Sequence, residues 1–388
     1  MDAHDVVIVG GGPVGAALAL ALAGSGRKIA LYESRPDLGA SADDRTLAIS
    51  FGSALILRRL GVWDALPAPT PIESIHVSQQ GGFGRSLLTA AQSRVPALGY
   101  VLRYAGLQRA LGEALARSAG ITVFGGASVE QVGKEPGLAL ARVRVGAATM
   151  ETRARLLVIA DGGARLAQQA GAVLRSRDYE QQAVVANVRA SAPHGARAYE
   201  RFCPGGPVAL LPFEDRFALI WTAAPARAAE LVDMREEDFL SRLQLHFGDR
   251  AGRFLSVSGR ARFPLALRYA EEPVLGRIVL LGNAAQALHP IAGQGFNLGL
   301  RDAWDLAGIV RRESGDDAGA GAALARYRAL RAADRRIGIA FTDSLVRMFS
   351  GDAAAFRWLR GGGLALLDAL PPAKRMFVRR MTFGASPE

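Results

Sequence analysis

Residues 5–34 read DVVIVGGGPVGAALALALAGSGRKIALYES, and this stretch decides the fold. The β-branched run Val6–Val9 predicts a buried strand, the Ala- and Leu-rich run Val14–Ala23 predicts a helix, and Lys28–Tyr32 predicts a second strand. Glycines are concentrated between the first strand and the helix. The order strand, glycine turn, helix and strand is typical of the unit that opens a doubly wound α/β domain.

The turn between the first strand and the helix carries three glycines in a G-x-G-x-x-G spacing. Gly10 permits the sharp turn, Gly12 lets the backbone approach a pyrophosphate, and Gly15 allows the helix to pack closely on the strand. Pro13 and Val14 stand at the start of the helix, where backbone N–H groups face the phosphates of a bound dinucleotide. The turn therefore predicts dinucleotide binding, and an ordinary glycine-rich turn is the alternative.

Two carboxylates follow predicted strands in this part of the chain. Glu33 ends the second strand, where a carboxylate accepts hydrogen bonds from a ribose diol and repels a 2′-phosphate. This position favours FAD or NAD over NADP at the site. Asp161 follows the apolar run 156–160 and is expected at the carboxyl end of a further strand, where ligands of open α/β sheets bind. A helix-capping role is the alternative for Asp161.

A second glycine-rich run, GNAAQALHPIAGQGFNLG, occupies residues 282–299. It follows the apolar stretch RIVLL (277–281) and precedes LRDAWDLAGIV (300–310), so it predicts a strand, a loop and a helix N-terminus. Backbone N–H groups at such a terminus, here those of residues 293–297, can stabilise the negative charge that a reduced flavin carries on its N1–C2=O edge.

Single residues of this run have predicted roles. Gly293 and Gly295 lack side chains and leave room for the flavin ring, and Asn283 can hydrogen-bond a ribityl hydroxyl. His289 is a candidate for assisting a proton transfer, with a packing or hydrogen-bonding role as the favoured alternative. The remaining candidates for cofactor contact in the run are Pro290, Phe296 and Asn297.

Together these blocks resemble the aromatic-ring hydroxylase group of FAD monooxygenases, and within it the ubiquinone-biosynthesis hydroxylases. The form Gly282-Asn283 is most similar to the 2-octaprenyl-6-methoxyphenol hydroxylase subgroup. The resemblance implies flavin contacts for Arg45 and Gln108. Further family-like segments are ADDRTLAIS (42–50), LGVWDAL (60–66), HVSQQGGFGR (76–85), ALGYV (97–101), YEQQAVVANV (179–188) and YERFCPGGPVALLPF (199–213).

The resemblance implies an α/β (α+β) chain of aromatic-hydroxylase type. A Rossmann-like FAD-binding domain would carry an inserted β-sheet substrate domain and C-terminal helices. The expected FAD-binding domain is discontinuous and comprises residues 1–71, 100–178 and 263–388, and the substrate domain comprises 72–99 and 179–262. Alternating apolar runs predict a sheet in the substrate domain, and residues 227–248 predict one or two amphipathic helices.

The composition adds expectations about partners and location. Among 388 residues, 47 Lys and Arg exceed 36 Asp and Glu, giving a net charge of +11. A basic surface favours anionic partners such as phospholipid head groups or a phosphorylated cofactor, and a merely solvated basic surface is the alternative. No nucleic-acid-binding motif is visible in the sequence, so no nucleic-acid partner is expected. A single cysteine, Cys203, excludes an intrachain disulfide and favours a reducing compartment.

Two apolar segments bear on membrane contact. Residues 6–26 carry no charge, but GGGP within them would break a helix, so a membrane span is not expected there. The segment PPAKRMFVRRMTFG (371–384) mixes four cations with bulky apolar residues, which suits a membrane surface or a protein partner. A helix docked on the core, with its cations outside, is the alternative. A cytoplasmic location is expected, and a peripheral position on the inner membrane is left open.

The function implied by the resemblance is that of a flavoprotein monooxygenase. NADPH or NADH would bind transiently and reduce FAD, O₂ would form a C4a-hydroperoxyflavin, and one oxygen atom would pass to a polyprenylated (methoxy)phenol. The histidines lack metal-ligand spacing, so no metal is expected. Other quinone-biosynthesis proteins are candidate partners. The alternatives are another FAD enzyme of this fold, such as a soluble phenol hydroxylase or a polyprenyl reductase, and a non-catalytic scaffold of a quinone-biosynthesis complex.

Overall fold

The computed structural model describes residues 3–41, 43, 45–288, 294–313, 315, 317–350 and 354–384. Its strands are β1 His4–Val9, β2 Ile29–Glu33, β3 Thr46–Ser50, β4 Thr70–Ile72, β5 Ser74–Gln79, β6 Arg85–Thr89, β7 Gly99–Arg103, β8 Ile121–Gly125, β9 Ala127–Glu135, β10 Leu138–Val145, β11 Ala148–Ile159, β12 Leu174–Ala190, β13 Arg197–Phe202, β14 Val208–Phe213, β15 Arg216–Ala223, β16 Phe254–Ala270, β17 Val274–Leu275, β18 Ile278–Leu280 and β19 Gln286–Ala287. Its α-helices are α1 Pro13–Leu22, α2 Phe51–Arg59, α3 Tyr104–Arg117, α4 Arg165–Gln169, α5 Pro225–Asp233, α6 Glu236–Phe247, α7 Gln294–Arg312, α8 Gly321–Ser350, α9 Ala354–Ala369 and α10 Pro371–Phe383.

The first layer is a mostly parallel sheet with the strand order β17-β18-β11-β1-β2-β8. Strands β18, β11, β1, β2 and β8 run parallel, and a hairpin of β9 and β10 is attached to β11. The predicted succession of strand, glycine turn, helix and strand is confirmed as β1, α1 and β2. The carboxyl ends of β1, β2, β11 and β18 consequently meet along one edge of this sheet.

Residues Val6–Val9 of strand β1 are all apolar and buried because both faces of the strand are covered there. Val6 and Ile8 pack into the core that includes α1, α3 and α7, whereas Val7 packs into the core on the opposite side of the sheet. All three side chains are fully buried, and each burial contributes roughly 1.5–3 kcal/mol. Small alanines along α1, such as Ala16 and Ala19, allow that helix to lie close to its neighbours.

The second layer is a mostly antiparallel sheet with the order β19-β16-β12-β15-β14-β13-β5-β6, in which β13 and β5 form a parallel pair. Helices α5 and α6 cover one face of it, and Phe239, Leu243 and Phe247 of α6 pack in the same core cluster as Val184 and Val188 of β12. The segment predicted to form one or two amphipathic helices therefore contains two helices. The other face of the sheet is directed toward a large cavity.

A small antiparallel sheet with the order β3-β7-β4 completes the strands of the described residues. Helix α2 follows β3 directly and is capped by Ser50, whose hydroxyl accepts a hydrogen bond from the backbone N–H of Ser53 at 3.2 Å. The C-terminal helices then pack over this region. The rings of Phe51 and Phe383 meet edge to face at 6.1 Å, which fixes α10 against α2.

The C-terminal segment forms a docked helix, as one of the two interpretations of its sequence predicts. Lys374, Val378 and Thr382 recur every four residues on α10 and are buried against the body of the protein. Arg375, Met376, Arg379 and Arg380 lie on exposed parts of the helix. Lys374 departs from that interpretation, which placed the cations outside, because its buried ammonium pairs with Asp368 at 2.8 Å.

None of the helices in the described ranges combines the length and the apolar composition that a membrane span needs. The strands of the second sheet come from residues 74–89, 174–270 and 286–287, and those of the first sheet come from 4–33, 121–159 and 274–280. The predicted domain boundaries at residues 71, 99, 178 and 262 stay a prediction.

Candidate functional site

The glycines of the first turn are required for different physical reasons. Gly10 has φ +102°, and a Cβ there would lie 2.7 Å from both the carbonyl oxygen of Ala160 and the Cα of Asp161. A Cβ on Gly15 would lie 2.0 Å from the carbonyl oxygen of Gly10. These two positions therefore exclude side chains for reasons internal to the protein.

Gly12 differs from its neighbours because the protein itself would accept a side chain there. It has φ −63° and ψ 173°, values that any residue adopts, and a Cβ on it would meet no atom of the described residues within 4 Å. The free space belongs to the cavity that Gly12 lines. Gly12 is also the N-cap of α1 without a side-chain cap, and Pro13 follows as the first helical residue. The resulting cradle fits a pyrophosphate held by helix N–H groups.

Glu33 closes one side of this cradle. Its Oε2 accepts a hydrogen bond from the backbone N–H of Gly11 at 2.7 Å, and its Oε1 accepts from the backbone N–H and the Nε of Arg35 at 2.9 and 3.0 Å. Burial favours the neutral form of this carboxyl, but the hydrogen bonds from Arg35 and Gly11 outweigh it and lower the pKa of Glu33. The carboxylate is therefore ionised, and its remaining lone pairs can accept ribose hydroxyls.

Gln108 lies behind the cradle rather than on the cavity wall. Its Nε2 donates to the carbonyl oxygens of Gly11 and Leu38 at 2.8 and 2.6 Å, and the side chain is fully buried. Its Oε1 has no hydrogen-bond donor among the described residues. Gln108 thus holds the turn that contains Gly11, and the flavin contact that the resemblance implies for it stays a prediction.

The loops after β11 and β18 are joined at the carboxyl edge of the parallel sheet. Asp161 accepts a hydrogen bond from the backbone N–H of Gly163 at 3.0 Å and caps this turn rather than α4, whose N-cap position is Ala164. Arg268 donates from Nη2 to the carbonyl oxygens of Gly162 and Asn283 at 3.2 and 3.1 Å. Asp161 and Asn283 are both exposed to the cavity, at the edge where the sequence predicted a ligand.

The start of α7 approaches the same edge. The Oδ1 of Asn297 accepts hydrogen bonds from the backbone N–H of Ser50 at 2.8 Å and from the hydroxyl of Ser53 at 2.7 Å, so its side chain ties α7 to the β3–α2 junction. Gly295 and Phe296 line the cavity, and a Cβ on Gly295 would come no closer than 4.0 Å to its nearest protein neighbour, Leu288. The first-turn N–H groups of a helix have no partners within the helix.

Three predicted residues of this run, His289, Pro290 and Gly293, lie outside the described residues. The residues on either side of that stretch are held by a buried ionic network that the sequence reasoning missed. Gln286 donates from Nε2 to Asp302 at 2.6 Å, and Asp302 accepts from the Nε of Arg331 at 2.6 Å. Gln286, Asp302 and Arg331 are too far apart in sequence to be recognised as partners from the sequence alone.

Arg331 is the centre of this network. It is fully buried and also contacts Asp305 at 2.9 Å and Asp334 at 2.7 Å. Burial alone would lower the pKa of the Arg331 guanidinium, but the surrounding carboxylates outweigh burial and raise it. The permanently charged Arg331 thereby joins α7 to α8.

Arg45 lies in the wall of the cavity. It pairs with Asp43, with 2.8 Å between Nε and Oδ1, and its guanidinium lies 5.2 Å from the centre of the Phe263 ring. Tyr104, which follows β7, lines the same part of the cavity, and burial raises the pKa of its hydroxyl. The predicted contact residue Arg45 is thus a cavity residue with one carboxylate partner.

These features surround one cavity of about 2010 Å³ that extends from the α1 N-terminus to the second sheet. Of the predicted cofactor residues within the described ranges, all except Gly15 and Gln108 line it. The far wall is the apolar face of the second sheet together with parts of α9 and α10. A single drug-sized ligand occupies roughly 300–1,000 Å³, so this volume accommodates more than one ligand.

One acidic residue on the far wall was not singled out from the sequence. Glu200 of β13 lines the cavity in an otherwise apolar region. The available sequence signal was its position in RAYERF (197–202), because the alternation of Ala198, Glu200 and Phe202 places an acid where an apolar residue is expected in a strand.

Comparisons with known proteins agree with this geometry. Residues 3–334 match the family model described as FAD binding domain. The chain is 36% identical over 383 residues to the ubiquinone hydroxylase UbiL of Rhodospirillum rubrum, covering 97% of this chain and 88% of that protein. It is 31% identical to the 3-demethoxyubiquinol 3-hydroxylase of Escherichia coli, covering 97% of each. The crystal structure of the p-nitrophenol 4-monooxygenase PnpA from Pseudomonas putida shares the fold, with a TM-score of 0.78, 21% identity and 99% of both chains covered.

Proposed function

We propose, from the premise that this chain belongs to the FAD-binding family of ubiquinone-biosynthesis hydroxylases, that its substrate is a polyprenylated methoxyphenol. The protein is a flavoprotein aromatic monooxygenase of mixed α/β aromatic-hydroxylase fold. NADPH or NADH is the proposed electron donor, and the 2-octaprenyl-6-methoxyphenol hydroxylases are the proposed subgroup. The continuous cavity between the parallel sheet and the apolar face of the second sheet carries this proposal.

The parallel-sheet end of the cavity is the proposed FAD site. Gly12 and the N-terminus of α1 would hold the pyrophosphate, and Glu33 would accept the ribose hydroxyls. Asp161 and Asn283 would contact the chain between the phosphates and the flavin ring. Bound FAD, once reduced by the nicotinamide donor, supplies the activation of O₂ that the side chains of the protein cannot supply.

The start of α7 has a proposed electrostatic role toward the flavin ring. The side chain of Asn297 is held by hydrogen bonds to Ser50, Ser53 and Ala48, so the first turn of α7 is fixed before a ligand binds. Backbone N–H groups at this turn would stabilise the negative charge of the reduced ring. Gly295 leaves its cavity side open, which permits close approach of the ring. His289, Pro290 and Gly293 remain proposed contacts from the sequence alone.

The second-sheet end of the cavity is the proposed site of the substrate ring and tail. Val185, Ile220 and Phe263 contribute apolar surface from the sheet. Leu367 of α9 and Met381 of α10 also line the cavity, so an apolar tail can leave the ring site toward the C-terminal helices. The apolar walls displace water from the reacting centre, which favours transfer of oxygen to the ring over its loss as peroxide.

Hydroxylation can be tested directly with the FAD-loaded protein. Short-chain prenylated methoxyphenols would be incubated with NADPH and ¹⁸O-labelled O₂, and the products would be analysed by mass spectrometry. One labelled oxygen atom in the ring supports the proposal. Substrate-dependent NADPH oxidation with a reduced prenyl chain and no labelled ring would assign the protein to the polyprenyl reductases of the same fold instead.

The outer face of α10 is the proposed contact with an anionic lipid surface. Met376 is 70% exposed and lies on the side of the helix opposite the buried stripe of Lys374 and Val378. Arg379 and Arg380 follow Met376 by three and four residues and therefore flank it on the helix surface. Exposed cations around an exposed apolar side chain match the head groups and the acyl boundary of an anionic bilayer.

Peripheral binding to the inner membrane is the localisation that this surface supports. Helices α9 and α10 both contribute cavity-lining residues on their inner sides. A lipophilic substrate would therefore pass from the bilayer into the cavity between these two helices. Exposed Leu366 and Leu370, at the end of α9 and the turn before α10, extend the apolar surface. Proteins of a quinone-biosynthesis assembly are the alternative occupants of this face.

Vesicle sedimentation tests this surface. Replacing Arg375, Arg379 and Arg380 by Gln is expected to lower binding to anionic vesicles on the order of a hundredfold, at about 1 kcal/mol per cation. A control with the same loss of charge replaces Arg142 and Arg144 of the β10 hairpin and Arg117 of α3. Equal losses in both variants would indicate a general charge effect. Binding that is independent of lipid charge would remove the proposal and favour a protein partner.

A further inference from the structure

Strand β13 directs one ionisable side chain into the cavity. The ring of Tyr199 packs with His76 and Phe247 on the helix-covered side of the sheet, at 5.9 and 5.6 Å between ring centres. Because side chains alternate along a strand, Glu200 is directed to the other side, and it is among the residues that line the cavity.

The register of the sheet shows how isolated this carboxyl is. Glu200 pairs with Val77 of β5 on one side and with Ala209 of β14 on the other. The row of paired residues continues across β15, β12 and β16, and on the other side it ends at Ser86 of β6. The members of the row that line the cavity are Val77, Glu200, Ala209, Ile220, Val185 and Ala261. Glu200 is its single ionisable member.

No side chain or N–H group of the described residues is placed to satisfy this carboxyl. In contrast, Glu33, Asp43 and Asp161, the other carboxylates that line the described part of the cavity, all accept hydrogen bonds from the protein. An unpaired polar group inside a protein costs stability unless a ligand supplies its partner. Polar groups of this kind in apolar pockets commonly orient a bound ligand.

The surroundings of Glu200 also set its ionisation. The Glu200 side chain is half-buried in the cavity wall, and burial by the surrounding protein raises the pKa of Glu200 to about 8. The strand neighbours Val77 and Ala209 do not titrate. The titratable groups nearby are Cys203, whose thiol pKa burial raises to about 12, and Tyr199, whose hydroxyl donates to the carbonyl oxygen of Arg250 at 3.1 Å.

We propose that Glu200 binds the ring hydroxyl of the phenol substrate and accepts its proton while the ring is oxygenated. This inference rests on the proposed function, which supplies O₂ and the nicotinamide reductant. The O–H bond of the ring hydroxyl breaks and a carboxyl O–H bond forms, while the oxygen's electron pair increases the nucleophilicity of the ring carbon. The O–O bond breaks as one oxygen atom bonds to the ring carbon, and the nicotinamide donor has supplied the two electrons that this requires. The oxygenated carbon then loses its own hydrogen as a proton, which passes to the second oxygen atom, and that atom leaves as water. The ring thereby regains aromaticity, and the carboxyl returns its proton to the first oxygen.

The small residues around Glu200 fit this role. Ala209 and Ala261 lie in the same row and leave space above the sheet, while Val77, Val185 and Ile220 supply flat apolar contact for a ring. A hydrogen bond to the Glu200 carboxyl would therefore distinguish a phenol, which has a hydroxyl proton to donate, from an aryl ether, which has none. A site built to hydrogen-bond a hydroxyl rejects an analogue that lacks it because the buried group is then left unpaired.

The test compares Glu200→Gln with Glu237→Gln, an equivalent change on the exposed side of α6. Both variants would be loaded with FAD and assayed with a short-chain prenylated 2-methoxyphenol and with its methyl ether. We expect the Glu200 variant to retain FAD and its reduction by NADPH, but to form product roughly 10²–10⁴-fold more slowly. We also expect wild-type kcat/KM to rise with pH and to level off above about pH 8, and the variant to lose this limb.

Binding measurements separate this inference from the proposed function. Wild type should bind the phenol more tightly than its methyl ether, and Glu200→Gln should lose most of that preference. If wild type hydroxylates the phenol but the variant matches it in rate, pH profile and binding preference, the role of Glu200 is wrong. If wild type binds the phenol through Glu200 but forms no hydroxylated product, the binding role stands and the proposed function is wrong. If wild type does not prefer the phenol to the ether, the role of Glu200 is wrong.

Discussion

Replacing Glu200 by Gln is expected to make the protein less sensitive to rising pH. The carboxyl has a pKa of about 8 in the folded protein, against 4.5 for an unburied glutamate. Between these two values, the unfolded chain carries an ionised carboxylate while the folded protein retains the proton. The folded state therefore binds more protons, and stability decreases as pH rises through this window.

The magnitude follows from the width of that window. One group contributes about 1.4 kcal/mol per pH unit, so a span of roughly 3.5 pH units corresponds to an upper limit on the order of 5 kcal/mol. Water that enters the cavity solvates the ionised form and reduces the effect. We therefore expect wild type to lose roughly 2–4 kcal/mol relative to the Gln variant between about pH 5 and about pH 9.

Urea unfolding at a series of pH values, with saturating FAD, measures this difference. Subtracting the curve of unfolding free energy against pH for Glu200→Gln from that for wild type removes the contributions of the other titrating groups. A pH-independent cost of burying the amide shifts the difference curve without changing its slope. The same subtraction for Glu237→Gln should give a curve without a slope in this window, because that side chain is exposed. Parallel curves for wild type and the Glu200 variant would refute the burial argument.

Four further substitutions test the remaining site. Gly12→Val should fold normally, because a Cβ there meets no atom of the described residues, but should lower FAD content measured by absorbance; Gly362→Val on exposed α9 is the control, and unchanged FAD content would contradict the cradle. Glu33→Ala should weaken FAD binding by about 1.5–3 kcal/mol in a fluorescence titration, and wild-type affinity would exclude a ribose contact. Gly295→Val should lower flavin occupancy or turnover while thermal unfolding stays near that of wild type, and normal turnover would place the ring elsewhere. Arg331→Met should cost about 3–5 kcal/mol in urea unfolding because three carboxylates lose their cation, and a neutral result would mean that the carboxylates take up protons instead.

The polarity of the cavity wall could be predicted only in part from sequence. The glycine spacing and Glu33 predicted the cradle because their geometry is set within one strand, one turn and one helix. Gln108 shows the limit, because its two carbonyl partners lie 70 and 97 residues away and can be known only from the fold. Asp161 shows a related limit, since the helix-capping alternative to a ligand contact depended on where α4 begins, and the N-cap position of α4 is Ala164.

Local sequence was sufficient for the first strand, the glycine turn, the helix and the second strand, because short-range periodicity and backbone sterics decide those features. It was also sufficient to predict helices in residues 227–248, where the structure has α5 and α6. The convergence of Arg331 with three carboxylates, and the placement of Glu200 in an apolar row, required the tertiary structure. Both depend on pairings between segments distant in the chain, and such pairings are determined by the packing of the whole core rather than by neighbouring residues.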